Sequence, residues 1–394
     1  MSQPAAGPVL VAGGGPAGAA AALVLARAGL AVHLLAAEPG RVCPGESLPP
    51  AARPLLRDLG LLQRLQKAGH LSSVGTRSLW GTTTPWMSDH LLDPHGNGWL
   101  LDRGRFDQDL CSAAAAAGAR LDQGARVRQV RREGSGWRVG LQRSGGAREE
   151  IRAAWVVDAT GRRASLARAI GASRQRDHRQ VAFHARFRSL EPTADQDGCT
   201  TVEAVPDGWW YTVRVPGALR VVAFITDADH PDRLSLRRIE GFTQALAATQ
   251  LISTTLQAYA IEAPPRLIDA GGSQLSPAAG EGWTAVGDAA LAFDPLSSQG
   301  LLTALYTGLR GAESVIAALQ GGGPEASQAY ADRLLSIHLA YRRHRAQAYA
   351  SERRWPASPF WARRHCSGGL AVRAPGFTPP APPPPPAETP LPRG

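Results

Sequence analysis

The chain has 394 residues, of which 44% are hydrophobic and 19% are charged, and this balance excludes general disorder because enough apolar surface is present to build a core. Lys and Arg number 43 against 33 Asp and Glu, which gives a formal charge of +10. Lys67 is the only lysine, and the arginines form neither a block nor a nucleic-acid-binding signature. We therefore expect no nucleic-acid partner.

The cysteines and the N-terminus carry no site or targeting signal. The four cysteines form no C-x-x-C or other metal-ligand spacing, so the sequence predicts no metal site. The first residues lack the basic region of a signal peptide, and the longest apolar stretch, 19–35, is interrupted by Arg27 and His33. These features predict a cytoplasmic protein without a membrane partner.

A glycine-rich turn lies between a predicted strand and a predicted helix at the start of the chain. The apolar run 8–12 precedes Gly-x-Gly-x-x-Gly, an Ala/Leu-rich helix follows, and the next strand ends near an acidic residue. The glycines permit a tight turn and close approach of a pyrophosphate to the helix N-terminus, while the carboxylate can bind ribose. The predicted cofactor-binding residues here are Gly13, Gly15, Pro16, Ala17, Gly18 and Glu38.

The remaining predicted elements alternate between helices and strands. Helices are predicted over 55–68, 106–117, 237–258, 300–319 and 326–349, and strands over 125–130, 136–142, 151–157 and 283–286. Alternating residues between 180 and 226 predict a sheet floor for a second region. The last 20 residues hold 10 of the 31 prolines, which favours an extended tail acting as a linker over a docking motif.

Two further motifs indicate which dinucleotide binds. Gly287 and Asp288 follow a predicted strand, and the segment 293–300 leads into a helix, so the aspartate can hold ribityl hydroxyls and the helix start can face a flavin ring. This pairing resembles the GD motif and flavin loop of FAD-dependent aromatic hydroxylases, and the D-A-T-G-R segment 158–162 resembles their intermediate motif. The order of the three motifs predicts FAD.

The resemblance implies an α/β fold in which a Rossmann-like FAD-binding domain is interleaved with a β-sheet substrate domain. We expect the FAD-binding domain over 8–75, 98–178 and 265–325, the substrate domain over 76–97 and 179–264, a C-terminal helical region over 326–365, and a disordered Pro-rich tail over 366–394.

The segment 45–50, Gly-Glu-Ser-Leu-Pro-Pro, resembles the flavin-side loop of flavin-dependent halogenases, but three departures disfavour halogenation. No lysine follows at the spacing of their catalytic lysine, and Lys67 lies on a predicted surface helix. Ser297 stands where their D-P-L-E-S-T-G loop has a glutamate, and Trp209 alone matches the W-x-W-x-I-P motif. The sequence is therefore more similar to halogenase-like flavoproteins that mature tryptophylquinone enzymes, through segments 45–50, 98–107, 203–211, 226–229 and 352–361.

This resemblance implies a monooxygenase that hydroxylates an aromatic ring through a flavin C4a-hydroperoxide, with O₂ as cosubstrate and NAD(P)H used directly or through a separate reductase. The implied substrate is a tryptophan side chain of a partner precursor protein, and a flavin reductase is a further expected partner. Besides the first glycine loop, the implied residues are catalytic Glu46, Ser298 and Gln299, cofactor-binding Ser47, Arg103, Gly287, Asp288, Pro295 and Gly300, and substrate-contacting His184, Trp209, Trp210 and Tyr211.

Several alternatives stay open on sequence. Core packing explains Trp209, Trp210 and Tyr211 as well as substrate stacking does, and a satisfied strand histidine explains His184 better than a catalytic one. Solvated faces explain Glu203 and Asp227 as well as a site does. A small-aromatic hydroxylase or halogenase, an isoprenoid double-bond reductase and a flavin-bound maturation chaperone are the alternative functions.

Overall fold

The computed structural model describes residues 7–38, 45–191 and 195–366. In chain order the strands are Val9–Ala12 (β1), Val32–Ala36 (β2), Ser47–Leu48 (β3), Leu71–Ser73 (β4), Gly75–Leu79 (β5), Trp86–Asp89 (β6), Gly98–Leu100 (β7), Arg120–Gln123 (β8), Arg126–Glu133 (β9), Gly136–Gln142 (β10), Arg148–Ala153 (β11), Trp155–Asp158 (β12), Ser173–Arg176 (β13), Gln180–Ser189 (β14), Cys199–Val205 (β15), Gly208–Val215 (β16), Leu219–Asp227 (β17), Tyr259–Ile261 (β18), Arg266–Asp269 (β19), Ser273–Ser276 (β20), Ala279–Gly280 (β21), Trp283–Ala285 (β22) and Leu291–Ala292 (β23). The α-helices are Pro16–Arg27 (α1), Ala52–Asp58 (α2), Leu62–Lys67 (α3), Arg103–Ala116 (α4), Ser165–Ala169 (α5), Ile239–Ala247 (α6), Leu251–Thr255 (α7), Gly300–Ala317 (α8), Gly323–Ser351 (α9) and Pro359–Cys366 (α10).

A six-stranded sheet forms the first layer, in the order β21-β22-β12-β1-β2-β8. Every strand pair from β22 to β8 is parallel, and only β21 runs antiparallel. The strands β1, β2 and β12 are buried along their whole length, because the core around them includes helices such as α1 and also strand β10 of the sheet β11-β10-β9. This arrangement confirms the predicted Rossmann-like half.

An eight-stranded sheet forms the second half, in the order β18-β14-β17-β16-β15-β5-β6, with β19 also paired to β14. One face packs on α6 and α7 through a core that includes Phe183, Trp210, Phe224 and Phe242. The other face is turned toward the Rossmann-like half. There the small sheet β3-β7-β4 contributes Leu100 to a cluster with Val213 and Val221. The predicted interleaved α/β fold class is thus confirmed.

Some predicted elements are divided in the structure. The predicted helix over 55–68 is interrupted between α2 and α3, where Gly60 has a φ of +64° that favours glycine. The predicted strand over 151–157 becomes β11 and β12, which belong to different sheets. The predicted helix over 237–258 is divided into α6 and α7, and the 3₁₀ helix Pro231–Arg237 precedes them.

Helix α9 contacts both halves of the molecule. Its Tyr330 and Leu334 lie in the core of the Rossmann-like half, whereas Tyr349 lies in an aromatic cluster with Trp209 and Trp361. Within the described ranges, no helix combines the length and apolarity needed to cross a membrane. The Pro-rich tail predicted over 366–394 lies outside those ranges except for its first residue.

Candidate active site

The first glycine loop has the shape that a dinucleotide requires. A Cβ added to Gly13 would lie 2.1 Å from Ala159 O, and one added to Gly18 would lie 1.8 Å from Gly13 O. A Cβ on Gly15 would meet nothing within 4 Å, and this residue is the N-cap of α1, whose first residue is Pro16. The first and third glycines are therefore required by packing, while the second leaves open space for an anion at the helix N-terminus.

The neighbouring motifs converge on the same edge of the sheet. Asp158, fully buried at the end of β12, accepts hydrogen bonds from Thr160 N and Ala167 N at 2.8 and 2.7 Å. This holds the turn from which Arg162 reaches Asp288, with 3.3 Å between Nε and Oδ2. Glu38 and Asp288 are accessible to a ligand, whereas Asp158 is committed to its own loop. These residues fit FAD, which Glu38 would hold on the adenosine side and Asp288 on the ribityl side.

Arg103 fixes the loop that carries Glu46. Its Nη1 donates to Gly45 O at 2.8 Å, and its Nη2 donates to Asp107 Oδ2 at 3.1 Å. A Cβ on Gly45 would lie 2.9 Å from Arg103 Nη1 and 3.8 Å from Leu301 Cγ, so this loop contacts the start of α8. Arg103 is 8% exposed. In the structure it supports the loop, and its cofactor-binding role stays a prediction.

A buried carboxylate, imidazole and phenol meet between the two halves. Glu46 Oε1 lies 3.3 Å from His184 Nε2, and Tyr211 Oη donates to Glu46 Oε2 at 3.3 Å. Glu46 and His184 are 5% and 4% exposed, and Tyr211 is half-buried. His184 and Tyr211 both pair with Ala223 across the sheet, so the three residues form one row on the face opposite α6.

Electrostatics keep Glu46 ionised. Burial raises the pKa of Glu46, but the hydrogen bond and charge of His184, with the charge of Arg103, lower it to a net value below its ordinary range. Burial and the Glu46 charge raise the pKa of Tyr211 well above its usual value, so its hydroxyl stays protonated and donates. The cluster is a carboxylate that can accept a proton, held in place by two donors.

The predicted flavin loop is anchored by groups that the sequence did not mark as functional. Asp294 Oδ1 accepts from Leu296 N at 3.0 Å, and its Oδ2 accepts from Tyr349 Oη at 2.8 Å. Ser298 adopts a φ of +51° and Gln299 is the N-cap of α8. Ser298 and Gly300 are exposed, and Pro295 and Gln299 are half-buried. The loop is therefore held from α9, a contact that no sequence motif signals.

The three predicted substrate aromatics separate onto two faces. Trp209 Nε1 donates to Tyr349 Oη at 3.1 Å within the aromatic cluster, and Tyr211 contacts Glu46. Trp210 points the other way and stacks on Phe224 with ring centroids 4.8 Å apart. The structure therefore does not bring Trp210 to this site, because side chains alternate along a strand. Of the two roles open to it, core packing is the one that fits its contacts.

The remaining predicted residues divide between the two halves. Ser47 Oγ lies 3.3 Å from Thr200 Oγ1 of the eight-stranded sheet, and Gly287, with a φ of +61°, packs against Ala17. The solvated-face interpretation of Glu203 and Asp227 is wrong. Glu203 is 3% exposed and caps α7, and Asp227 is 7% exposed and pairs with Arg364 at 2.8 Å.

Comparison with known proteins identifies the class that this fold and site define. A family model described as an FAD binding domain matches residues 7–256, more than half of the chain. The chain belongs to this FAD-binding family. Its fold is that of the flavin-dependent halogenases and aromatic hydroxylases, and it is an FAD-dependent oxidoreductase of the monooxygenase type.

Three relatives illustrate the range within that class. LodB of Marinomonas mediterranea, named as an FAD-dependent oxidoreductase, is 27% identical over 369 residues, which cover 92% of this chain and 97% of LodB. The peptidyl tryptophan dihydroxylase QhpG, essential for tryptophylquinone cofactor biogenesis, superposes with a TM-score of 0.77 at 27% identity, covering 94% of this chain and 81% of QhpG. The myxobacterial chondrochloren halogenase CndH superposes with a TM-score of 0.84 at 24% identity, covering 91% and 85%.

Proposed function

We propose that the protein is an FAD-dependent monooxygenase that hydroxylates an aromatic ring, and that this ring is a tryptophan side chain of a precursor polypeptide on its way to a tryptophylquinone. The observation that carries the proposal is the Glu46, His184 and Tyr211 cluster between the flavin loops and the eight-stranded sheet. Hydroxylation of a ring carbon requires a group that removes the ring proton, and an ionised, buried carboxylate is suited to that role.

FAD would lie across the first half, with its pyrophosphate at Gly15, its ribose at Glu38 and its ribityl chain at Asp288. Reduced FAD with O₂ supplies the electrophilic oxygen, and NAD(P)H supplies the electrons directly or through a reductase. The segment from Pro295 to Gly300 would shield the reacting centre from water, held by Asp294 and Tyr349.

The substrate ring would lie on the face that carries Tyr211, within the predicted substrate region 76–97 and 179–264. One oxygen atom joins the ring, the other leaves as water, and the displaced ring proton goes to a carboxylate oxygen of Glu46. His184 and Tyr211 hold that carboxylate at 3.3 Å each, so it keeps one orientation while it accepts the proton.

Two observations support a polypeptide substrate and hydroxylation. QhpG, a peptidyl tryptophan dihydroxylase, matches along 94% of this chain. The only lysine, Lys67, is exposed on α3, outside the row formed by His184 and Tyr211, so no lysine is present at the site to activate a hypohalous acid.

The test uses the FAD-loaded protein with a reducing system, O₂ and tryptophan-containing peptides. We expect peptide products that gain one or two oxygen atoms on tryptophan, with oxygen uptake, and no change when Lys67→Met replaces the wild type. A protein that binds no FAD, or that binds FAD but never adds oxygen to an aromatic ring, would refute the proposal.

Halogenation is the second candidate, because CndH gives a higher TM-score than QhpG, 0.84 against 0.77. The same reactions are therefore run with chloride and with bromide. If halogen is incorporated into the ring and this incorporation is lost in Lys67→Met, the function is halogenation and not hydroxylation.

A further inference from the structure

Within the part of the chain that the structure describes, one arginine on the face that carries His184 has no counterion. Arg186 follows His184 by two positions on β14, so both side chains leave the same face of the sheet. Arg186 is half-buried, and its Nε is buried without a hydrogen-bond acceptor. A guanidinium that has lost water around one nitrogen and gained no partner is destabilising unless a ligand supplies the acceptor.

The other arginines with an orphaned buried nitrogen do not share this feature. Four more occur in the described part of the chain, and each is bonded through another of its nitrogens. The partners are Ser273 for Arg174, Asp195 for Arg220, Glu313 for Arg310 and Asp227 for Arg364. Arg186 differs because its side chain has no hydrogen bond or ion pair with any described residue.

The carboxylates of Glu46 and Glu262 are engaged by other side chains. Glu46 is bonded to His184 and Tyr211. The backbone N of Glu262 donates to Arg186 O, but the Glu262 carboxylate accepts from Arg188 Nε at 2.7 Å. By sequence, residues 1–6, 39–44 and 192–194 contain no Asp or Glu, and residues 367–394 contain one.

A second cation lies beside the first. Arg266 of β19 pairs with His184 in register, so its side chain leaves the same face, and it is exposed. Arg186 and Arg266 therefore place two positive charges beside the Glu46 and His184 pair. The planar donor group of arginine matches a carboxylate in geometry and charge.

We propose that Arg186, assisted by Arg266, binds an anionic group of the substrate, and that in a polypeptide substrate this group is the carboxylate of an acidic residue close to the reacting aromatic side chain. This inference rests on the proposed function for the location of the substrate. It adds a requirement that hydroxylation alone does not impose, namely a negative charge at a set distance from the ring.

The test measures binding to the FAD-loaded protein by titration, with the spectrum of the bound flavin as the readout. The probes are short peptides in which tryptophan is flanked by Asp or, in the matched peptide, by Asn. We expect the Asp peptide to bind about tenfold to a hundredfold more tightly, as for a charge-assisted hydrogen bond in a half-buried site. Arg186→Gln is expected to remove this preference, and Arg186→Lys to retain part of it.

Arg214→Gln is the matched control, because Arg214 lies on the same sheet but alternates to the opposite face from Tyr211. It is expected to retain the full preference for the Asp peptide. Unchanged flavin spectra and unfolding midpoints would show that each variant is folded.

A second pair of probes separates the sources of the anion. If indole-3-acetate binds better than indole-3-acetamide in an Arg186-dependent way while the peptides show no preference, the anion site stands and its ligand is a small aromatic acid. Equal binding of charged and neutral probes, no binding of any probe, or a preference retained in Arg186→Gln would overturn the inference. Oxidation of both peptides without a difference in affinity would leave the proposed function intact, whereas an Asp preference without oxidation would refute only that function.

Discussion

The two faces of the eight-stranded sheet are made by the same strands but have opposite chemistry. The face under α6 and α7 is filled by Phe183, Trp210 and Phe224, which pack on Phe242. The face toward the flavin loops carries alanine at position 223, between His184 and Tyr211, and a buried carboxylate above them. The alternation of side chains lets one face provide stability while the other presents small and polar groups.

The largest expected effect is on the polar face. Glu46→Gln keeps the shape and one acceptor but removes the charge that accepts a proton, so turnover should fall about a hundredfold to ten-thousandfold. FAD binding should persist, and oxygen uptake should yield peroxide instead of hydroxylated product. Product formation and peroxide are measured together.

The matched control is Glu203→Gln on the opposite face. Glu203 accepts from Gln250 N, Leu251 N and Ile252 N at 2.6, 2.8 and 3.1 Å, so its loss should lower the free energy of unfolding and leave turnover per folded molecule unchanged. Equal turnover in Glu46→Gln and Glu203→Gln would show that the two faces do not differ in function.

The next effect is on the aromatic face. Trp210→Ala removes a 1% exposed side chain and should lower the free energy of unfolding by about 3–5 kcal/mol. Urea unfolding followed by fluorescence measures it, and Trp86→Ala, at a position that is 40% exposed, should change it by less than about 0.5 kcal/mol. If Trp210→Ala changed the free energy of unfolding only slightly but strongly weakened substrate binding, Trp210 would be a substrate-binding residue instead.

Tyr211→Phe tests the second donor to Glu46. Its hydroxyl donates at 3.3 Å, and the loss of one such bond costs about 0.5–1.5 kcal/mol, which corresponds to roughly a two- to tenfold lower turnover. Steady-state kinetics on the oxygenated product give the value. A drop as large as that of Glu46→Gln would contradict a role for Tyr211 that is limited to orienting the carboxylate.

The smallest effect is a dependence of stability on pH. The pKa of Glu46 lies below its ordinary value of 4.5 in the folded protein, because the hydrogen bond and charge of His184 outweigh burial. A lowered carboxyl pKa stabilises the folded state above the unfolded pKa, and this contribution is lost as the pH falls through the folded pKa.

The free energy of unfolding of the wild type, relative to Glu46→Gln, should therefore decrease as the pH falls below 4.5. Urea unfolding over a pH series gives this difference. A difference that stays constant to acid pH would mean that Glu46 is not held as a carboxylate.

Local motifs account for what could be predicted of the site. Gly13, Gly15 and Gly18 could be identified from sequence because their role depends on backbone shape within one strand-turn-helix unit. The contacts of Asp294 with Tyr341 and Tyr349 could not be identified in this way. Asp294 N donates to Tyr341 Oη, 47 positions away, and Tyr349 Oη donates to Asp294 Oδ2, 55 positions away. Trp210 and Tyr211 are adjacent in sequence, and only the sheet register shows which of them faces Glu46.

The sequence by itself determined the α/β class, the FAD motifs and the absence of any lysine beyond Lys67, since these depend on local periodicity and composition. The tertiary structure alone decided that Glu46 meets His184 across 138 positions and Tyr211 across 165, and that Arg186 faces the same side without a counterion among the described residues. The physical reason is that a motif specifies the path of its own backbone, whereas burial and pairing of side chains depend on how distant strands align.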